Sequence, residues 1–373
     1  MTTVRHFILG VICFYLSYFL AEARNAKSKD ILKTVKTEGE VYDCVDFYKQ
    51  PAFQHPLLQN HSFHPEMTPS LPNWVNGREF SDDVSNDIPV TKLNCPKGTV
   101  PIRRLNKDDL RLQAQLRREY YALLGGNQSN AIPSKIFLAM VQSKGGQPKT
   151  FHGIGSTFSI YNPSIKQPEY SSGELMIKGG NDVIIAGWTV NPTLYKDTQT
   201  RSFTYAVAGD LHCFNTACGF VQVDKDIPLD HVLQPVTKIW GKTIYKYSFY
   251  IAQDANSGDW WLQMGGESVR RIGYWPKKIF KGLSESGNYV ACGGEAYGEP
   301  AKMGLPEMGF GIRPEFGGGR EWPFCWNTNV VNEEKKAVIY DDFEKLENGR
   351  PQYLVFYDER DHRAIFGGPR HLA

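Results

Sequence analysis

Two glutamates in this chain lie on strand-like segments and could supply carboxyl chemistry. The segment "VACGGEAYG" (Val290 to Gly298) carries Glu295 out of a buried-looking strand, and "GELMIKGGNDVIIAGWTV" (Gly173 to Val190) carries Glu174 ahead of a hairpin signal. Peptide hydrolysis by paired carboxyls needs one group ionised to activate water and the other protonated to polarise the carbonyl or protonate the leaving amine. Two carboxyls held close share a proton, which splits their apparent pKa values and suits mildly acidic conditions. Such chemistry calls for no metal and no cofactor. Gly179-Gly180 can supply the positive φ angles of a tight type I′ turn. That turn pairs Lys178 with Asn181 and sets Glu174 directly opposite Ile185, on the same face, with Cβ atoms ~4.5–5.5 Å apart. A three-residue loop would instead send Glu174 to the other face. Gly-Gly-Glu alone is weak evidence, since "MGGES" repeats it at Glu267.

Other chemistries are thinner. None of the nine histidines falls in a His-x-x-x-His zinc pattern, and there is no Gly-x-Ser-x-Gly elbow or glycine-rich phosphate loop. A net charge of +2 leaves no clustered basic footprint for nucleic acid. Aromatics in "GDWWLQ" and "GYWP" suit either a peptide or sugar groove or, more simply, core packing.

The elements that must position these groups follow a signal peptide. Arg5 and His6 precede an apolar run from Phe7 to Leu20 and the small-residue pattern Ala21-Glu22-Ala23, so residues 1–23 are expected to be removed. The run is shorter than the ~20 residues that span a bilayer, and no later segment is apolar enough to span one. A chain secreted to the extracellular space or apoplast, or delivered to a vacuole, is the expectation, with no membrane attachment after cleavage. Cys13 leaves with the signal. Cys44, Cys95, Cys213, Cys218, Cys292 and Cys325 remain, an even set that argues for disulfides in an oxidising compartment. Cys213 and Cys218 are close enough to bridge a short loop. Asn60 and Asn127 are N-glycosylation acceptors.

From Lys27 to about Leu105 the sequence is proline-dotted and poor in periodic runs. Such a stretch buries little apolar surface of its own and is expected to lie against another domain. "NKDDLRLQAQLRREYYALLGG" then reads as an amphipathic helix over 107–123, with Asn106 as N-cap and Gly125 as its stop. "GGNQSNAIP" is a polar hinge open to proteolysis. From Ser134 onward, short β-type runs separated by glycine, proline and asparagine predict an all-β, antiparallel β-sandwich at 134–373, preceded by a small irregular region with one helix at 24–133.

Several long motifs resemble the plant neprosin family. "YDCVDFYKQPAFQHPLLQNH" (Tyr42 to His61) and "CPKGTVPIRR" (Cys95 to Arg104) are similar to its activation-peptide region. "AGWTVNPTLYKDTQTRSFTY" (Ala186 to Tyr205), "CGFVQVD" (Cys218 to Asp224), "SGDWWLQMGG" (Ser257 to Gly266), "RIGYWPKKIF" (Arg271 to Phe280) and "GGEAY" (Gly293 to Tyr297) are similar to its catalytic domain. The resemblance implies a secreted precursor whose activation peptide precedes a glutamic endopeptidase that favours cleavage after proline. Its partners would then be proline-rich peptide or protein substrates and its own activation peptide. The resemblance gives Glu295 the place of one catalytic glutamate and assigns Trp188 and Ile185 to the substrate groove.

The first catalytic glutamate of the family immediately precedes Ala-Gly-Trp, and here that residue is Ile185, which can neither hold a proton nor orient a water. The family has glutamine at the place of Glu174, so one carboxylate is lost and another gained nearby. Cys292 stands where the family prefers tryptophan, and the C-terminal cysteine of the family is missing. Cys292 and Cys325 therefore either pair with each other or remain free or intermolecular thiols. Three functions are consistent with the sequence. The slightly favoured one is a catalytically impaired relative that keeps the cleft as a peptide-binding module. The others are an acid endopeptidase using Glu174 with Glu295, and a non-catalytic cell-wall scaffold.

Overall fold

A computed structural model of the chain describes residues 28–369, apart from 38–39, 59–67, 76–84, 90, 107, 110, 112, 114–134, 218, 267, 300–303, 315–321 and 349–350. The signal peptide, Asn60, Asn127, Cys218, Glu267 and the hinge after Gly125 therefore lie outside the described residues.

The N-terminal region contributes β1 (Ile31–Thr37), β2 (Glu40–Asp46), β3 (Ser85–Asp87) and β4 (Thr99–Arg103). There follow β5 (Ile136–Ser143), β6 (Gly153–Ser159), β7 (Tyr170–Gly179), β8 (Asp182–Val190), β9 (Arg201–Ala208), β10 (Leu211–Phe214) and β11 (Val221–Gln222). The remainder supplies β12 (Ile244–Gln253), β13 (Trp260–Gly265), β14 (Arg270–Trp275), β15 (Tyr289–Tyr297), β16 (Phe324–Val331), β17 (Ala337–Ile339), β18 (Phe343–Glu347), β19 (Leu354–Asp358) and β20 (Arg363–Gly367).

The strands make a β-sandwich. One sheet is seven-stranded in the order β10-β9-β8-β7-β15-β5-β18, and it faces a ten-stranded sheet built on the path β11-β14-β13-β12-β6-β16-β20-β19. Side-chain alternation sorts each strand between two environments. Phe137, Leu175, Ile177, Ile184, Ala186, Trp188, Val290 and Ala296 of the seven-stranded sheet meet Phe249, Trp260 and Trp275 in the core between the sheets. Trp260 of "GDWWLQ" and Trp275 of "GYWP" are fully buried there as packing, whereas Trp261 turns to the other face of β13, stacks on Tyr274 and lines a cavity with Phe47 and Val100 of the N-terminal region.

The N-terminal region is more ordered than its composition suggested. β1, β2 and β4 form a sheet of their own, and β3 adds itself parallel to β12 of the ten-stranded sheet. The Cys44–Cys95 disulfide, with Cα atoms 5.5 Å apart, ties β2 to the approach to β4. The predicted helix starts where its cap says it should: the Asn106 side-chain oxygen accepts from the backbone N–H groups of Asp108 and Asp109, each at 2.9 Å. The Asp109 carboxylate returns a bond from the Asn106 N–H at 2.6 Å, a reciprocal capping box. Asp108, Asp109, Arg111 and Gln113 are helical, and the rest of the expected helix lies outside the described residues.

Candidate active site

The β7–β8 hairpin carries half of the site, and its turn differs from the Gly179-Gly180 expectation. Gly179 stays in the ladder opposite Asp182, leaving Gly180 and Asn181 as the turn, with φ +56° at Gly180. The reason is packing beneath the turn. A Cβ at Gly179 would fall 2.5 Å from the Gly282 carbonyl oxygen. The Asp182 carboxylate is buried and accepts from the backbone N–H groups of Gly209, Lys281, Gly282 and Leu283, which anchors the first residue of β8. The ladder consequently slides by one residue on each strand. Glu174 lies opposite Gly187, not Ile185, and Ile185 lies opposite Met176. Because the slide preserves alternation, Glu174 still shares the face of Ile185.

That face is the outer one, away from the core. Tyr170, Ser172, Glu174, Met176 and Lys178 of β7 point to it, as do Ala291, Gly293, Glu295 and Tyr297 of β15. β7 and β15 are adjacent. Glu174 is opposite Gly293 and Glu295 is opposite Ser172, so the two glutamates are diagonal neighbours on one face. Diagonal neighbours in an antiparallel pair stand ~7–8 Å apart, within reach of long side chains. Glycine at 293 leaves the space beside Glu174 empty of a side chain.

Each carboxyl has its own hydroxyl donor. The Ser172 hydroxyl donates to Glu174 Oε2 at 2.7 Å, and the Tyr170 phenol donates to Glu295 Oε1 at 2.7 Å. The Tyr170 ring is stacked on Tyr297, with centroids 5.4 Å apart and planes 7° apart, which fixes the phenol. Glu174 is completely buried. Burial pushes its carboxyl well above the usual carboxylate range, the nearby Glu295 charge pushes it further, and the Ser172 hydrogen bond and the Lys178 charge work in the other direction. Oε1 of Glu174 has no hydrogen-bond partner. Burial also pushes the Tyr170 phenol well above its usual value, assisted by both glutamates, so it remains a donor. Lys178 sits with Nζ 5.0 Å from the Tyr289 ring centre; burial lowers its ammonium pKa and Glu295 and Glu174 oppose that.

Ile185 is on this face but two strands from Glu295, fully buried beside Met176 and Tyr205. Trp188 does not join them. It points into the core from the opposite face, beneath Gly173, where a Cβ would come within 2.5 Å of its indole nitrogen. It cannot line the groove assigned to it from sequence. Tyr170, Ser172 and Lys178 were missed, although "YSSGELMIK" alternates polar Tyr170, Ser172, Glu174 and Lys178 against apolar Leu175 and Ile177.

The family comparison decides the identity. The Neprosin family pattern matches residues 167–369, and the Neprosin activation peptide pattern matches residues 34–137. The chain belongs to the neprosin family. Among solved structures it is similar to scytalido-glutamic peptidase with a peptide-based transition state analog, at 8% identity over 63% of this chain and 98% of that one, TM-score 0.36. It is also similar to SCP-B, a member of the Eqolisin family of peptidases in complex with the tripeptide Ala-Ile-His, at 7% identity over 63% of this chain and 98% of that one, TM-score 0.35. A likeness of that degree assigns no chemistry to this chain.

The neprosin activation peptide is held to the neprosin domain by buried charge. Arg201 of β9 is fully buried and pairs with Glu40 of β2 at 2.8 Å and with Asp197 at 2.6 Å. Arg103 of β4 bonds Glu40 at 2.5 Å and lies 3.9 Å from Asp230. Both guanidiniums stand 5.0 Å from the Tyr195 ring centre. Asp109 of the activation-peptide helix pairs with Lys196 at 2.6 Å. In this form of the neprosin chain Glu174 and Glu295 are 0% and 1% exposed, so a peptide does not reach them. Cys213 is disulfide-bonded, whereas Cys292 and Cys325 are buried thiols.

Proposed function

We propose that this chain is the latent precursor of a secreted glutamic endopeptidase that hydrolyses proline-containing peptides with Glu174 and Glu295 as its carboxyl pair. One observation carries the reading: the two glutamates share a face as diagonal neighbours on adjacent strands, while Ile185 stands where the resemblance would put the first glutamate. Their surroundings differ in the sense that acid–base catalysis requires. Burial and the neighbouring Glu295 charge raise the Glu174 carboxyl and favour its protonated form, so we assign it as the acid that polarises the scissile carbonyl and protonates the leaving amine. Glu295, steadied by the Tyr170 phenol, is the base that takes a proton from the attacking water. Hydroxide equivalent attacks the carbonyl carbon, the tetrahedral intermediate collapses, and the amine leaves with the proton of Glu174. The acid and base then hold exchanged protons and re-equilibrate through water.

Latency follows from burial. Removal of the activation peptide, by cleavage in the Gly125 to Pro133 hinge, uncovers the carboxyl pair. The experiment is turnover of a proline-containing peptide by full-length and processed protein over about pH 3 to 7, the range in which paired carboxyls share a proton. Turnover by the processed form, and not by the full-length form, is expected. A second reading, in which the cleft binds proline-containing peptides without cutting them, is favoured by the apolar burial of Ile185. Binding with no turnover by the processed form at any pH would establish it instead.

A further inference from the structure

Cys292 and Cys325 come from different sheets and meet in the core behind the carboxyl pair. Cys292 is on β15, three positions before Glu295, and alternation turns it to the core. Cys325 is on β16, paired with Ala364 of β20 on one side and Phe158 of β6 on the other. Both side chains are fully buried in the same apolar cluster, and the two thiols are in hydrogen-bond contact.

Stacked sheets ordinarily lie ~10 Å apart, too far for a disulfide, whose Cα atoms stand ~4.4–6.8 Å apart. Here β15 and β16 approach within 8 Å between Cα atoms. Gly294, the next core-facing position after Cys292, permits this. A Cβ there would fall 2.4 Å from the Phe366 ring and 2.6 Å from the Met308 sulfur, so any side chain would push β15 off the facing sheet. The glycine that closes the gap is thus two residues from the thiol that uses it.

We propose that Cys292 and Cys325 form a disulfide that crosslinks the two sheets of the sandwich directly behind Glu295. The oxidant is a small disulfide of the secretory pathway, such as oxidised glutathione. One cysteine thiolate attacks it and expels one thiol; the other cysteine thiolate attacks the mixed disulfide and expels the second. The pair loses two protons and two electrons, and the oxidant is reduced to two thiols. The reaction belongs to the folding chain, while the sheets are still closing, because the finished core excludes reagents from both sulfurs. Once made, the bond is shielded from reductant by the same packing. It holds β15 against the facing sheet and limits the drift of Glu295 relative to β7. The inference does not depend on whether Glu174 and Glu295 turn over a peptide.

The test is peptide mapping of the full chain produced through an oxidising secretory pathway, denatured with an alkylating reagent present and no reductant. A crosslinked peptide containing Cys292 and Cys325, lighter than the two free peptides by the lost hydrogens, is expected, with neither cysteine alkylated. Alkylation of both, or linkage of either to another chain, overturns the proposal. In the Cys325→Ala variant, Cys292 becomes alkylatable on denaturation. If Cys292 stays blocked there, it has a different partner and the proposal fails.

Discussion

Replacing Glu174 by glutamine removes one ionisable proton and almost nothing else. Glutamine matches the side chain in length, and its oxygen can still accept the 2.7 Å bond from Ser172, so β7 keeps its place beside β15. What is lost is the carboxyl whose protonated form burial favours next to Glu295. A positioned acid or base contributes roughly 10²–10⁴-fold to such a reaction. The processed Glu174→Gln protein should therefore lose kcat by about that factor while KM changes only a few-fold, because the side chain acts mainly in the transition state. Glu295→Gln should lose a similar amount, and the double variant should be little worse than either single one, since groups that act as a unit are not additive. The assay is steady-state hydrolysis of an internally quenched proline-containing peptide. Undiminished kcat in Glu174→Gln beside a collapsed kcat in Glu295→Gln would refute the pairing and direct attention to another partner for Glu295.

Tyr170→Phe keeps the stack on Tyr297 and deletes the donor to Glu295. A hydrogen bond to a charged group is worth about 1.5–3 kcal/mol. A fall in kcat of roughly ten- to a hundred-fold, with the acidic limb of the pH–rate profile displaced to higher pH, is expected, and an unmoved limb would contradict the role. Ile185→Glu places a glutamate where the resemblance expects the first catalytic one, but here it buries a third carboxyl beside Met176 and Tyr205. Unfolding titrations should show a loss of several kcal/mol with no gain in turnover; a rise in turnover would favour the impaired reading of the wild type. Glu174 titrates above its unfolded value, so its contribution to stability is fully present below the unfolded carboxyl range and is lost as pH rises through the higher folded value. Glu174→Gln should flatten that decline, as read by denaturant midpoints at acidic and neutral pH. Glu40→Ala removes the carboxylate that joins Arg201 to Arg103 at the activation-peptide seam and leaves them only Asp197 and the more distant Asp230. Faster removal of the activation peptide in limited proteolysis is the expected outcome.

Much of this was legible in the residues because alternation is a robust signal. The sandwich class, the strand carrying Glu295, the Asn106 cap and the common face of Glu174 and Ile185 all follow from period and turn chemistry. What failed was register. Gly179-Gly180 and Gly180-Asn181 are both acceptable turns locally, and the choice is made by Gly282 packing under Gly179 and by the anchoring of Asp182, a hundred residues apart in sequence. Trp188 was misplaced for a related reason: a motif names a residue but not the face it takes, and the face is fixed by Gly173 on the neighbouring strand. The ordered sheet of the N-terminal region escaped notice because its strands are short and pair across a long proline-dotted excursion.

The separation of the Glu174 and Glu295 carboxyls in a crystal structure of the processed domain bears most directly on the proposed pair. One water accepting or donating a bond of about 2.8 Å to each would hold the carboxyl oxygens within roughly 5–6 Å of one another. The diagonal register across β7 and β15 predicts such a water-bridged pair, open to solvent once the activation peptide has gone. Carboxyls separated beyond the reach of a single water, or turned to different faces of the sheet, would contradict it.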